Sequence, residues 1–223
     1  MSLARLKTCR SRGIWLAVAV VQMPTTTSTR EVLIADGNVQ LDADLRLAGN
    51  PAGLIVFAHG SGSSRHSRRN REVAEALSTA GFATLLMDLL TAQEESVDQF
   101  TGQFRFDIPR LSRRVIAGID WASHDTELGR LSVGCFGAST GAAAALIAAA
   151  ERPERVAAVV SRGGRPDLAA DALRRVLAPT LLIVGGADEA VIELNKEAMR
   201  HMSASVRLDV VPGATHLFEE PGA

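Results

Sequence analysis

The stretch LSVGCFGASTGAAAALIAAAE, from Leu131 to Glu151, decides the fold. It begins with a short apolar run, passes through GASTG at residues 137–141 and continues as an alanine-rich segment. Continuous apolar runs of this length are typical of strands that are buried on both faces, and alanine favours helices. The stretch therefore predicts a strand that ends at a serine and turns sharply into a helix.

A serine in such a turn is suited to act as a nucleophile. Its hydroxyl must project clear of the sheet, and the sharp turn crowds the backbone, so the positions two before and two after it need small residues. Gly137 and Gly141 occupy these positions around Ser139. The N–H of Thr140, at the start of the helix, would then point at a developing oxyanion. A G-x-S-x-G match alone is weak evidence, and the alternative is a tight turn with Ser139 as a helix N-cap.

Strand-like and helix-like segments alternate on both sides of this turn. This alternation predicts an α/β fold in one domain over residues 30–223, with a mostly parallel, twisted sheet of about 7–8 strands and helices on both faces. A hairpin around Asp36-Gly37 starts the series, and residues 91–104 are predicted to form a polar loop. The predicted strands are 53–60, 82–90, 131–136, 155–161, 180–186 and 206–213, and the predicted helices are 70–81, 107–125, 141–151, 167–177 and 190–202.

An acid and a histidine follow later strands, where sites form in sheets of this kind. Asp188 comes after TLLIVGG, and His216 comes after the last strand. We predict that His216 is the base that activates Ser139 and that Asp188 holds its ring in the required tautomer. Glu189 and Asp88 are the alternatives for the acid.

The glycine-rich stretch HGSGSSRHSRRNR, residues 59–71, follows another buried strand. Its glycines let backbone N–H groups face the site, and we predict the N–H of Ser61 as the second oxyanion donor, with Gly62 as the alternative. The stretch lacks the glycine spacing of a nucleotide-binding loop. His59 ends its strand, where the neighbouring glycines suit a role other than that of the base.

Several arginines lie in this stretch and beyond the sixth strand. They form either a solvated, salt-bridged loop or a site for a substrate carboxylate, a group that arginine binds in a bidentate manner. For the second interpretation the candidate substrate-binding residues are Arg65, Arg69 and Arg162.

The composition excludes some classes of partner. The net charge is −1, aromatic residues make up 4%, and tyrosine is absent, so nothing favours a nucleic acid. The two cysteines, Cys9 and Cys135, do not have the spacing of a metal site. We therefore expect a small-molecule substrate, no metal and no organic cofactor.

The first 29 residues are predicted to be a leader or a disordered extension. A basic start is followed by the apolar run 14–21, which resembles a signal peptide in outline. The run is too short to span a bilayer, and no A-x-A site follows it. We expect an upstream extension or tail on a cytoplasmic protein that does not contact a membrane, with export as the alternative.

The motifs FAHGSGSSRHSRRN, FGASTGAAAALIAAAERPE, PTLLIVGGAD and GATHLFEEPG carry a family resemblance. Over about residues 30–220 the chain resembles the α/β-hydrolase superfamily, and within it the dienelactone-hydrolase-like branch. The resemblance implies the α/β-hydrolase fold, with Ser139 as nucleophile, Asp188 as acid and His216 as base. It also implies an oxyanion hole formed by the backbone after His59-Gly60 and after Ser139.

Two features depart from that pattern. Dienelactone hydrolases carry a cysteine nucleophile where this chain has Ser139, and a final helix normally follows the histidine loop, where this sequence ends at Ala223. A partly uncovered sheet would be a surface for association, so a homo-oligomer is one expectation. The leading hypothesis is a serine hydrolase that cleaves an ester or lactone through an acyl-enzyme. An acyltransferase or peptidase with the same triad, and a non-catalytic binding protein of this fold, are the alternatives.

Overall fold

The computed structural model describes residues 27–220, so most of the predicted leader lies outside the described residues. The described chain forms one eight-stranded sheet with the strand order β1-β2-β4-β3-β5-β6-β7-β8, which confirms the predicted α/β fold. The strands are β1 (Ser28–Asp36), β2 (Val39–Leu47), β3 (Leu54–Ala58), β4 (Ala83–Met87), β5 (Val133–Ala138), β6 (Val156–Arg162), β7 (Thr180–Gly185) and β8 (Val206–Val211).

The sheet is antiparallel only at one edge. The hairpin β1–β2 pairs antiparallel with β4, whereas β3 to β8 run parallel to one another. The carboxyl ends of these parallel strands therefore meet at one rim of the sheet. Loops after β3, β5, β6, β7 and β8 all begin at this rim, where a site is expected in such folds.

Helices cover both faces of the sheet. They are α1 (Arg68–Thr79), α2 (Ala92–Thr101), α3 (Ile108–His124), α4 (Thr140–Glu151), a 3₁₀ helix (Pro166–Arg175) and α5 (Glu189–His201). The alanine-rich α4 packs between α3 and the 3₁₀ helix, and six of its alanines and Leu146 are completely buried there. On the opposite face, α1 packs through Ala74 against Phe57, Leu86 and Phe136. Among the described residues no helix is long and apolar enough to cross a membrane.

Two predicted segments differ from the structure. The polar segment 91–104 contains α2 and is not a loop throughout. A capping box starts this helix, in which Thr91 Oγ1 accepts the Glu94 N–H at 3.2 Å and Glu94 Oε2 accepts the Thr91 N–H at 2.8 Å. The segment predicted as helix 167–177 is instead a 3₁₀ helix, which is interrupted at Ala170, where φ is 46° and ψ is −127°. Residues 214–220, after β8, form turns and bends without a helix.

Glu94, the acidic residue of this capping box, also ties α2 to α3. Glu94 accepts hydrogen bonds from Arg114 at 2.6 and 2.7 Å and from Arg110 at 2.6 Å, and the Arg114 side chain is only 1% exposed. Burial by itself would raise the pKa of Glu94. The hydrogen bonds from Arg114 and Thr91 and the positive charges of both arginines outweigh it and lower the pKa to about 2.

We predict that Glu94→Gln lowers the free energy of unfolding at pH 7 by about 3 kcal/mol. The folded state lowers the pKa of Glu94 from 4.5 to about 2, and a shift of this size stabilises the folded protein by about that amount. The contribution is complete above pH 4.5 and is lost as the pH falls toward 2, so the difference from the parent should shrink in that range. Urea denaturation at pH 7 and at pH 3 measures both.

Glu72→Gln is the matched control, because Glu72 pairs on the surface with Arg68, whose side chain is 91% exposed. It should change the stability by less than about 1 kcal/mol at either pH. Equal stability of the Glu94 variant and the parent at pH 7 would contradict the proposed role of this ion pair.

Candidate active site

The turn between β5 and α4 has the strained geometry that the sequence predicts. Ser139 has φ 49° and ψ −122°, a conformation that residues other than glycine rarely adopt. A Cβ on Gly137 would lie 2.4 Å from the Ala142 Cα, and a Cβ on Gly141 would lie 2.2 Å from the Ala58 carbonyl oxygen. Both contacts are with backbone that cannot move aside, so the turn requires glycine at both positions.

The predicted acid and base are in contact. His216, in the loop after β8, and Asp188, between β7 and α5, form a hydrogen bond of 2.7 Å between Nδ1 and Oδ2. Because the carboxylate only accepts, the ring donates through Nδ1–H, which leaves Nε2 as the acceptor nitrogen in the neutral tautomer. Of the two alternative acids, Glu189 is exposed and Asp88 pairs with Arg65.

One cavity of about 190 Å³ at the carboxyl rim of the sheet brings these groups together. Ser139, His216, Ser61, Arg69 and Arg162 all line it. Within the described chain, Ser139 and His216 form no direct hydrogen bond. Such bonds are often long without substrate and tighten when substrate binds. A larger open groove of about 670 Å³, between the β1–β2 hairpin and α3, is lined by none of the predicted site residues.

The two predicted oxyanion donors lie on either side of the serine. The Gly60-Ser61 backbone packs against Ser139, since a Cβ on Gly60 would come within 2.9 Å of the Ser139 Cβ. Across residues 27–220, neither the Ser61 N–H nor the Thr140 N–H donates to a protein acceptor. Ser61 lines the 190 Å³ cavity, and it lines an adjoining cavity of about 10 Å³ together with Thr140 and Gly62. Both N–H groups are thus available to a bound oxygen.

Two of the three predicted substrate-binding arginines line the cavity. Arg162 donates to Asn70 Oδ1 at 3.0 Å and lies over the Phe136 ring, 5.5 Å from its centroid, with no carboxylate partner in the described chain. Burial lowers the pKa of Arg162 to about 10, and the nearby charge of Arg69 contributes. Arg69 donates to the Leu217 carbonyl at 2.7 Å, pairs with exposed Glu219 at 3.3 Å and is partly exposed itself. Arg162 is therefore the arginine of the cavity whose positive charge no described carboxylate neutralises.

Arg65 is not brought to this cavity. Its guanidinium pairs with Asp88 and lies 3.3 Å from Asp44 and 3.7 Å from Asp42. Its backbone N–H also donates to Asp88 at 2.7 Å. Arg65 is thus surrounded by carboxylates and fastens its loop to β2 and to the end of β4.

Sequence reasoning missed Asn70 as part of the site. Its side chain is 3% exposed, lines the cavity and holds the Arg162 guanidinium. The residue lies in the first turn of α1, where polar residues are common, so no signal in the sequence distinguishes it from an ordinary helix-start residue.

Comparisons with known proteins show what this chain is similar to. The chain is 56% identical over 192 residues to proteins of two Mycobacterium tuberculosis strains, each named "Putative phosphoribosyl transferase". The match covers 86% of this chain, and the chain spans only 42% of the length of those relatives.

Solved structures are similar over most of the chain. A dienelactone hydrolase from Anabaena variabilis is 55% identical, with a TM-score of 0.87 over 88% of this chain and 91% of that chain. Est1E from Butyrivibrio proteoclasticus, at 18% identity and a TM-score of 0.71 over 85% of this chain and 91% of that chain, shares the fold. The model of the "Dienelactone hydrolase family" matches residues 45–223. The chain thus belongs to the dienelactone hydrolase family.

Proposed function

We propose that the protein is a serine hydrolase that cleaves an ester or lactone of a small anionic molecule through an acyl-enzyme. The observation that carries the proposal is the 2.7 Å pair of His216 and Asp188 beside the cavity that Ser139 lines. A strained serine, an oriented imidazole and free backbone donors at one place are the parts that acyl transfer requires.

The first half of the reaction forms the acyl-enzyme. Ser139 Oγ attacks the carbonyl carbon while His216 Nε2 takes the hydroxyl proton, and Asp188 stabilises the imidazolium that results. The N–H groups of Ser61 and Thr140 stabilise the negative oxygen of the tetrahedral intermediate. The carbon–oxygen bond to the leaving group then breaks, and His216 gives its proton to the departing alkoxide.

Water completes the cycle. His216 takes a proton from a water molecule that attacks the acyl carbon, and a second tetrahedral intermediate forms in the same oxyanion site. Its collapse breaks the bond to Ser139 Oγ, which regains a proton from His216. The product acid leaves and the free enzyme is restored.

The charge of the cavity favours an anionic substrate. Arg162 is largely buried with only a neutral amide, Asn70, as its hydrogen-bond partner, and a buried cation is costly unless it is paired. A substrate carboxylate would supply the missing partner, with Arg69 beside it. We therefore assign substrate recognition to Arg69 and Arg162, not to Arg65.

Transfer to another acceptor is the alternative within the same mechanism. The name of the M. tuberculosis relatives refers to phosphoribosyl transfer, not acyl transfer, and to proteins more than twice as long as the segment that this chain matches. Added alcohol or amine acceptors would yield new esters or amides if the acyl group were transferred, whereas hydrolysis yields the free acid only.

We predict that Ser139→Ala lowers kcat for p-nitrophenyl acetate by roughly 10³–10⁶-fold without unfolding the protein. A fluorophosphonate probe should label the parent at a single serine and should not label this variant. Ser96→Ala, in exposed α2, is the matched control and should keep both activity and labelling. Labelling of the Ser139 variant, or hydrolysis at the parental rate, would disprove the assignment.

We predict that Arg162→Gln raises KM about 10–100-fold for an ester that carries a free carboxylate, since a hydrogen bond to a charged group contributes about 1.5–3 kcal/mol. For neutral p-nitrophenyl acetate, kcat and KM should change little. Arg68→Gln, on the exposed face of α1, should alter neither substrate. An equal loss on both esters would mean that Arg162 acts on the structure of the site and not on the charge of the substrate.

A further inference from the structure

The imidazole of His59, at the end of β3, is fixed in one tautomer by two backbone groups. His59 is 6% exposed, its Nδ1 lies 2.9 Å from the Gly60 carbonyl oxygen, and its Nε2 lies 2.9 Å from the Leu89 nitrogen. The Leu89 N–H can only donate, so Nε2 is the acceptor and the proton is on Nδ1, which donates to Gly60. Burial also lowers the pKa of His59, and this keeps the ring neutral.

The carbonyl that His59 holds belongs to the same peptide group as the predicted oxyanion donor. The Gly60 C=O and the Ser61 N–H lie in one plane and point in opposite directions, because a trans peptide is rigid. The Ser63 N–H donates to the same Gly60 oxygen at 3.2 Å. His59 and Ser63 thus fix the direction of the Gly60 carbonyl by donating to it. Because the peptide group is rigid, the direction of the Ser61 N–H is fixed as well.

The far end of this loop is held by the neighbour of Leu89. The Asp88 carboxylate accepts the Arg65 backbone N–H at 2.7 Å and pairs with its guanidinium. Two consecutive residues after β4 therefore hold the loop at His59 and at Arg65, with Ser61 between these two points. The loop can change neither its position nor the tilt of its first peptide without breaking buried or partly buried hydrogen bonds.

We propose that His59 is a positioning residue for the reaction: its Nδ1–H···O=C bond to Gly60 sets the direction of the Ser61 N–H toward the oxyanion. The inference rests on the proposed serine hydrolase function. His59 touches no reacting atom and takes no proton in the cycle. Its bond also polarises the Gly60-Ser61 peptide, which makes the N–H a stronger donor. The effect acts on the tetrahedral intermediates and the transition states that lead to them, since the negative oxygen is absent from the bound ester.

Two substitutions separate the two hydrogen bonds of the ring. His59→Asn retains an amide N–H close to the position of Nδ1, whereas His59→Gln retains an amide oxygen close to the position of Nε2. We expect the Gln variant to lose about 10–100-fold in kcat with KM within about 2-fold, and the Asn variant to recover most of that loss. His124→Gln, at an exposed position of α3, is the matched control.

Inhibition by phenylboronic acid and thermal unfolding distinguish a positioning role of His59 from a merely structural one. The boronate forms a tetrahedral adduct with the serine, so its Ki should rise in the Gln variant by about the same factor as kcat falls. Each variant loses one buried hydrogen bond, so the two Tm values should be similar while the activities differ. Activities that follow Tm in both variants, or a Gln variant with parental kcat, would overturn the proposal.

A measurement on the unsubstituted protein tests the inference even if both variants fail to fold. Histidine ¹⁵N spectra should show His59 as the Nδ1–H tautomer, and a predominant Nε2–H tautomer would overturn the proposal. The failure of the proposed function looks different. In that case the parent protein itself neither hydrolyses p-nitrophenyl acetate nor reacts with the fluorophosphonate.

Discussion

The rest of the site depends on the close approach of three backbone segments at Ser139. The turn holds a non-glycine residue at positive φ, which costs about 1–3 kcal/mol, and only surrounding structure can offset that cost. Here α4 supplies that surrounding structure, because its small side chains are buried between the sheet, α3 and the 3₁₀ helix. The glycines at 137 and 141 permit the contact, and Gly60 lets the loop after β3 lie against the serine. The same packing that strains the turn therefore also brings the predicted oxyanion donors to it.

The charges around the cavity are divided between two kinds of arginine. Arg65 is surrounded by carboxylates and fastens its loop to the sheet. Arg162 has only the amide of Asn70 as its side-chain hydrogen-bond partner in the described chain, and it lines the cavity. No described carboxylate lines the cavity, and Asp188, which lies outside its lining, is engaged by His216. Within residues 27–220 no carboxylate thus pairs with Arg162, and its positive charge lies at the cavity that Ser139 lines.

Much of this could be predicted from the sequence, because the strongest signals were local. The glycines around Ser139 predicted the sharp turn. The apolar runs before Asp188 and His216 predicted strands that place both residues at the carboxyl rim of the sheet. The helix α2 was missed because its segment is polar, although Thr91 and Glu94 form the T-x-x-E signal of a capping box. Arg65 and Arg69 could not be separated. They lie four residues apart in one basic stretch, and which of them faces the cavity depends on α1 starting at Arg68 and on carboxylates from distant strands.

Substrate choice and oxyanion stabilisation make competing demands on one small cavity. A positive charge close to the reacting oxygen would help any ester, and it would then provide no discrimination. The Arg162 guanidinium is held by Asn70, lies over the Phe136 ring and has no described carboxylate partner, so under the proposed function it would favour substrates that carry an anionic group. A neutral ester that fills the cavity would bury Arg162 further without pairing it, and that desolvation cost acts against the wrong substrate. In the proposed reaction, uncharged backbone donors would act on the transition state, while Arg162 and Arg69 would bind the part of the substrate that does not react.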